Sequence, residues 1–177
     1  MTRPNDLSAT EARKLIGNKQ LSPLELTKSC IDQVERYNPS INAVVAINHE
    51  DVLKEAKKAE DDVMAGKELG LLHGLPVGIK DLNPVKDLRS TSGSKLFENR
   101  IPDYDDSVVA DIRAEGGIVF CKTNTPEFGA GANTKNKVYG ATCNPFDLTK
   151  TPAGSSGGSA AALATNMMPL ANGSDYG

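Results

Sequence analysis

The chain has 177 residues, enough for about one domain on the usual span of ~100–200 residues, with 38% hydrophobic residues and a net charge of −3 from 20 basic and 23 acidic side chains. This mixed charge leaves no basic nucleic-acid footprint and no polybasic membrane patch, and no run approaches the ~18 apolar residues of a membrane-crossing helix. Cys30, Cys121 and Cys143 are odd in number and lack zinc-site spacing, so they read as reduced thiols of a cytoplasmic protein, and no metal-ligand set is visible.

Residues 8–40 read as two helices. Ser8-Ala-Thr-Glu11 is a capping box, and Gly17 is the stop. Ser22-Pro-Leu-Glu25 is a second box with Pro23 at the favoured first helical position. Leu24, Thr27, Ile31 and Val34 recur at helical spacing, and Asn38-Pro39 is expected to close the helix. Residues 43–47 form a short apolar strand. Residues 51–65 read as a helix with Val52, Ala56, Ala59 and Val63 on one face and a solvated charge run opposite. His49, at the strand–helix junction, reads as a cap or surface residue because no second ligand type clusters nearby.

A loop over 66–74 follows. His73 has no acidic partner at useful spacing and is set outside the chemistry. Val77 to Ile79 then delivers Lys80 to the end of a strand. On local sequence alone, Lys80 reads as a surface lysine paired with Asp81. Residues 83–102 are loop-rich, and Ser90-Thr-Ser-Gly-Ser94 suits a site wall and a surface turn equally well. A helix is expected from Ser107 through Glu115, with Asp105 and Asp106 near its N-terminus and Gly116-Gly117 ending it. Ile118 to Cys121 is a buried-type strand, and the alternation of helix and strand argues for an α/β layer structure. Asn124 to Phe128 leads into a small-residue loop over 129–133, read as a tight turn or as a backbone wall of a pocket. Asn144-Pro145 marks another turn.

Thr151-Pro-Ala-Gly-Ser155-Ser156-Gly157-Gly158-Ser159 is the stretch with chemistry in it, and a strongly helix-favouring Ala/Leu run follows at once. A turn-to-helix junction near Gly158 would aim free backbone N–H groups and the helix dipole into the loop. A flexible Gly/Ser linker is the alternative. The pattern G-x-S-x-G fits literally. That fold needs a strand before the serine and a histidine after it, whereas Pro152 precedes the loop and both histidines lie upstream. A phosphate-binding loop would carry the lysine that Gly-Gly-Ser-Ala lacks. Serine chemistry without histidine remains, its base a lysine held neutral by burial and relayed through a second serine. Lys80 is the candidate, and its surroundings must lower a pKa that is ordinarily ~10.4. The helix is expected to run to about residue 166, Met167-Met168 to fill the core, and residues 169–171 to form a short strand aimed at Gly173-Ser-Asp175.

Gly-Ile-Lys80-Asp81, Lys122-Thr-Asn-Thr-Pro-Glu-Phe128, Tyr139-Gly-Ala-Thr-Cys-Asn-Pro145, the Gly-Ser-Ser-Gly-Gly-Ser loop and Pro169-Leu-Ala-Asn-Gly-Ser-Asp175-Tyr-Gly177 together resemble the amidase signature family, in the family's order. The resemblance implies an α/β fold, a mixed sheet with flanking helices, incomplete in 177 residues. Residues 1–66 would be an N-terminal helical region with one short strand, and 67–177 the first part of the α/β core. It implies hydrolysis of a small-molecule carboxylic amide through a Ser–cis-Ser–Lys triad and an acyl-enzyme, with no cofactor, nucleic acid or membrane. Lys80 matches the lysine, and Ser155 matches the bridging serine, preceded by a cis Gly154–Ser155 bond. The attacking serine belongs to Gly-Ser-Asp-x-Gly-Gly-Ser and would stand two positions past Gly177. Ser155, and Tyr176 and Gly177 at the start of an oxyanion hole, would contact the substrate, and the Gly129 carbonyl would meet the substrate amide or an ordered water. The 177 residues alone are therefore expected to be inactive, and the longer parent active.

The family's helical hairpin over 8–40 lies outside the catalytic centre and suits a homodimer contact. Ala153 stands where the family more often has glycine. Two other readings stay open. One is the glutamine-hydrolysing subunit of a tRNA-dependent amidotransferase, which more often reads Met-Asp-Glu-Phe where this chain has Thr125-Pro126-Glu127-Phe128. The other is a non-catalytic interaction module.

Overall fold

The structure, a computed structural model, describes residues 3–175. Helix α1 (Ala9–Gly17) begins with the expected box: Ser8 accepts from the Glu11 N–H, and the Glu11 carboxylate reaches back to Ser8. Helix α2 (Pro23–Ile41) is capped by Ser22, whose hydroxyl accepts from Leu24 and Glu25 and donates 2.5 Å to Glu60 of helix α3 (His49–Met64). That helix begins at His49, two residues before the expected start. It buries the expected stripe of Val52, Ala56, Ala59 and Val63.

Asn38-Pro39 does not close α2. The helix continues to Ile41 and turns at Asn42, whose φ is +56°. Proline removes one backbone hydrogen bond but fixes a φ the helix accepts, so one near the last turn is tolerated. Asn38 still shapes the exit. Its Oδ1 accepts from the N–H groups of Ala43 and Val44, both at 2.8 Å, and leads the chain into strand β1 (Val44–Ala46).

Strands β2 (Pro76–Lys80) and β3 (Ile118–Thr123) pair in parallel at the centre of a four-stranded mixed sheet. Antiparallel β1 flanks β3, and parallel β6 (Leu170–Ala171) flanks β2. Helix α4 (Ser107–Ala114) makes the crossover from β2 to β3, capped by Asp106. A two-residue hairpin, β4 (Lys135–Asn136) with β5 (Gly140–Ala141), was not legible in the sequence because two-residue strands carry no periodicity. Helix α5 (Gly157–Ala164) follows the serine-rich loop.

The sheet separates two apolar clusters. Val77, Ile79, Val109, Ile112 and Val119 pack on the α4 side. Residues from α1, α2, α3 and α5 join Ile118, Phe120, Cys121 and Met168 in the larger cluster. Pairing slips by one residue where Val77 and Gly78 meet Val119 and Cys121, so Phe120 is bulged. Because side chains alternate along a strand, the slip resets the phase of β3. Thr123 then pairs with Lys80, and Lys122 pairs with Ile79. Met167 and Met168 are buried core residues, as their composition suggested. Phe120 has no solvent exposure, so Phe120→Ala is expected to cost about 3–5 kcal/mol, measured by denaturant unfolding.

Candidate active site

The carboxyl end of β2 aims Lys80 at the loop before α5. Its Nζ lies 2.7 Å from Ser155 Oγ, 3.0 Å from Ser156 Oγ and 2.7 Å from Ser174 Oγ. The local pairing of Lys80 with Asp81 does not form. Asp81 accepts from the Thr91 N–H and from the Thr91 hydroxyl at 2.6 Å, and stands 3.7 Å from Lys122 Nζ. Successive strand residues face opposite ways, which separates Lys80 from the carboxylate beside it in sequence.

Two lysines are thus wholly buried, in different company. Burial depresses the pKa of Lys80, and Asp175 opposes that shift by attraction. Burial likewise brings Lys122 down to about 8 against the pull of Asp81, whose own pKa burial raises. Lys122 has a carboxylate partner and a backbone acceptor, the Asn83 carbonyl. Lys80 has hydroxyls.

The serine loop is pinned at both ends by one side chain. The buried Thr134 hydroxyl donates to the Ala153 carbonyl at 2.8 Å and accepts from the Gly157 N–H at 3.0 Å. Thr125 Oγ1 donates to the Ser155 carbonyl. The Gly154–Ser155 peptide bond is cis. Helix α5 starts at Gly157, and a Cβ on Gly158 would stand 2.3 Å from the backbone nitrogen of Asn124. Only glycine lets the helix start come this close to the end of β3. Ser156 Oγ accepts from the Ser174 N–H and donates to the Ser174 carbonyl, joining the loop to the segment after β6. Residues 152–157, Ala160 and residues 173–175 line a cleft of about 520 Å³ beside these hydroxyls.

The structure thus brings Lys80 and Ser155 together. Gly129 sits in a turn at φ +71°, packed against Leu82 and outside the cleft lining. Tyr176 and Gly177 lie outside the described residues. His49 is exposed at the start of α3, and buried His73 has its Nε2 3.0 Å from the Ala59 carbonyl. The 90–94 loop supports the 127–129 turn instead of lining the cleft. Ser94 donates to Glu127, and the Ser92 carbonyl accepts from the Phe128 N–H. Sequence reasoning missed the roles of Ser156 and Ser174, although both stood inside motifs it had singled out. Thr134 carried no signal, since its partners lie about twenty residues downstream.

A family model described as Amidase matches residues 25–177. A curated relative, a glutamyl-tRNA(Gln) amidotransferase subunit from Clostridium botulinum (strain Alaska E43 / Type E3), is 41% identical over 96% of this chain and 35% of its own length. Among solved structures, a bacterial aryl acylamidase described as belonging to the amidase signature enzymes aligns with a TM-score of 0.87 and 34% identity, over 93% of this chain and 34% of that one. A 6-aminohexanoate cyclic dimer hydrolase aligns with a TM-score of 0.85 and 32% identity, over 97% and 34%. The chain spans about a third of the length of the curated relatives it matches.

Ala153 adopts φ +63° in the serine loop. Ala153→Gly removes a left-handed penalty of about 1–2 kcal/mol and adds about 0.4–1 kcal/mol of unfolded-chain freedom. A net gain of about 0–1.6 kcal/mol is expected, read as a higher melting temperature.

Proposed function

Because the chain belongs to the amidase signature family, we propose that Lys80 and Ser155 are the base and relay of a Ser–cis-Ser–Lys triad that hydrolyses a small carboxylic amide. The observation that carries this reading is the 2.7 Å contact between a wholly buried lysine amine and the hydroxyl of Ser155. A neutral amine has two N–H donors and one lone pair, and three hydroxyls surround Lys80. Ser156 and Ser174 take the two N–H groups, and the lone pair accepts the Ser155 proton. Ser155 in turn takes the proton of the attacking serine, which the resemblance puts two positions past Gly177. The serine oxygen attacks the amide carbon, the leaving amine receives the proton, and water hydrolyses the acyl-enzyme.

In this reading the Gly129 carbonyl orients the substrate amide. The N–H groups around Tyr176 and Gly177 begin the oxyanion hole. No cofactor takes part. A cytoplasmic location is supported by the free cysteines, two of them buried, and no described helix is long and apolar enough to cross a membrane. A homodimer through the helical hairpin remains part of the proposal.

The second reading is the glutamine-hydrolysing subunit of a tRNA-dependent amidotransferase. It is favoured by the names of the curated relatives, which are 36–41% identical. Against it stands Thr125-Pro126, where the resemblance implies Met-Asp for a glutamine-hydrolysing subunit. Copurification of the full-length protein with partner subunits, and tRNA-linked glutaminase activity, would put this reading first.

The test is amide hydrolysis by the full-length protein and by residues 1–177 alone, with turnover expected only from the former. Lys80→Met and Ser155→Ala in the full-length protein are expected to lower kcat about 10²–10⁴-fold. Full activity in either variant would remove the triad. The base works neutral, so kcat/KM should rise with pH through an ionisation below the ordinary lysine value of ~10.4. Between that lowered value and ~10.4 the unfolded chain holds the extra proton, so stability should rise with pH across the same window.

A further inference from the structure

We infer that Asn172 is a positioning residue for Lys80: its side chain completes the end of β2 and so fixes where the lysine amine meets the serine loop. The inference rests on the proposed role of Lys80. Strand β6 pairs with β2 only through Leu170 and Ala171, and the Asn172 N–H adds one bond to the Gly78 carbonyl at 2.9 Å. The main chain then leaves the sheet toward Ser156 and Ser174. The next donor on β2, the Lys80 N–H, is left without a strand partner. Asn172 Oδ1 takes it at 2.6 Å, extending the ladder with a side-chain amide.

All four hydrogen-bonding groups of Asn172 are engaged around this point. Besides its N–H and Oδ1, its Nδ2 donates to Asn83 Oδ1 at 2.9 Å, and its carbonyl accepts from Ser159 Oγ at 2.8 Å. Asn83 closes the circle. Its N–H donates to the Lys80 carbonyl, and its own carbonyl accepts from Lys122. The Ser159 hydroxyl also lies 2.7 Å from Thr123 Oγ1, tying α5 to β3. Lys80 is thereby held at its nitrogen by Asn172 and at its carbonyl by Asn83, before its side chain reaches the serines. An amine that must meet one particular hydroxyl at 2.7 Å gains from such a fixed root. Misplacement by ~1 Å typically costs ~10² in rate.

The experiment uses the full-length protein. Asn172→Leu removes the acceptor and keeps much of the volume. It is expected to lower kcat about 10²-fold while KM stays within about threefold. Asn172→Asp restores the acceptor to the Lys80 N–H and brings a carboxylate near the amine. The charged groups already facing this region are Asp175 beyond β6 and the Asp81–Lys122 pair behind the strand end, while α5 contributes no titratable side chain. The added charge favours the ammonium. Asn172→Asp should therefore recover kcat at high pH, with the ascending limb of the profile moved to higher pH. Recovery of kcat by Asn172→Asp, at the KM that Asn172→Leu also keeps, separates a lost acceptor to the Lys80 N–H from a merely structural defect.

A folded Asn172→Leu with wild-type kcat, or a folded Asn172→Asp that recovers no kcat at high pH, overturns the inference. If Asn172→Leu does not fold, Asn83→Ala decides. It keeps the Lys80 acceptor but frees Asn172 from its anchor, and a smaller fall in kcat at unchanged KM is expected. Unchanged kcat overturns the inference. Turnover surviving in Lys80→Met would instead show that the triad reading is wrong, a result separable from wild-type behaviour of the Asn172 variants.

Discussion

A lysine amine cut off from water has two stable solutions. It can keep its proton beside an anion, or give the proton up among neutral hydrogen-bonding groups. This protein contains both solutions within one pair of strands. Lys122 stands 3.7 Å from Asp81, and Lys80 is surrounded by three serine hydroxyls. That difference in company is why Lys80, and not Lys122, is the proposed base. Among the described residues, the hydrogen-bonding partners of the Lys80 amine are hydroxyls, and Asp175 is the charge that favours its ammonium. A neutral amine matches the same three groups without an unpaired charge.

The scaffold serves that arrangement at several removes. The bulge at Phe120 resets the phase of β3, so Thr123 pairs with Lys80 and its hydroxyl lies 2.7 Å from that of Ser159 in α5. Gly158 allows α5 to begin almost in contact with the backbone of Asn124. Thr134 then closes the loop between its own two hydrogen bonds, which leaves Ser155 and Ser156 little freedom. Each device acts on backbone position. Lys80 and the serines around it contribute almost nothing to the apolar clusters, which lie to either side of the sheet.

The buried ion pair supports this region without joining the cleft. Asp81 gathers the N–H and hydroxyl of Thr91, and so anchors the 90–94 loop. That loop in turn holds the 127–129 turn through Ser94 and Ser92. A residue adjacent to Lys80 in sequence thus belongs to a different layer of the structure. Its contribution is to the shape of the turn at Gly129. Breaking such a pair at one end leaves the other charge buried and unpaired, so its two members stand or fall together.

Much of this was legible from the chain alone. The caps at Ser8, Ser22 and Asp106, the buried stripe of α3, the strand that ends in Lys80 and the loop that feeds α5 are all local patterns, set by propensity and period within a few residues. The serine-rich loop without a usable histidine made Lys80 a candidate base, and the resemblance to the amidase signature family gave Lys80 and Ser155 their expected roles. What the sequence could not express was distance across the fold. Lys80 and Asp81 look paired on paper and face apart in the sheet. Pro39 looks like a stop, but the last turn of α2 tolerates it. Ser174, Asn172 and Thr134 acquire their partners only when segments about twenty to more than ninety residues apart are brought together. Hydrogen bonds of that kind depend on strand register and on which neighbour lies alongside, and register is a property of the assembled sheet, not of any stretch of chain.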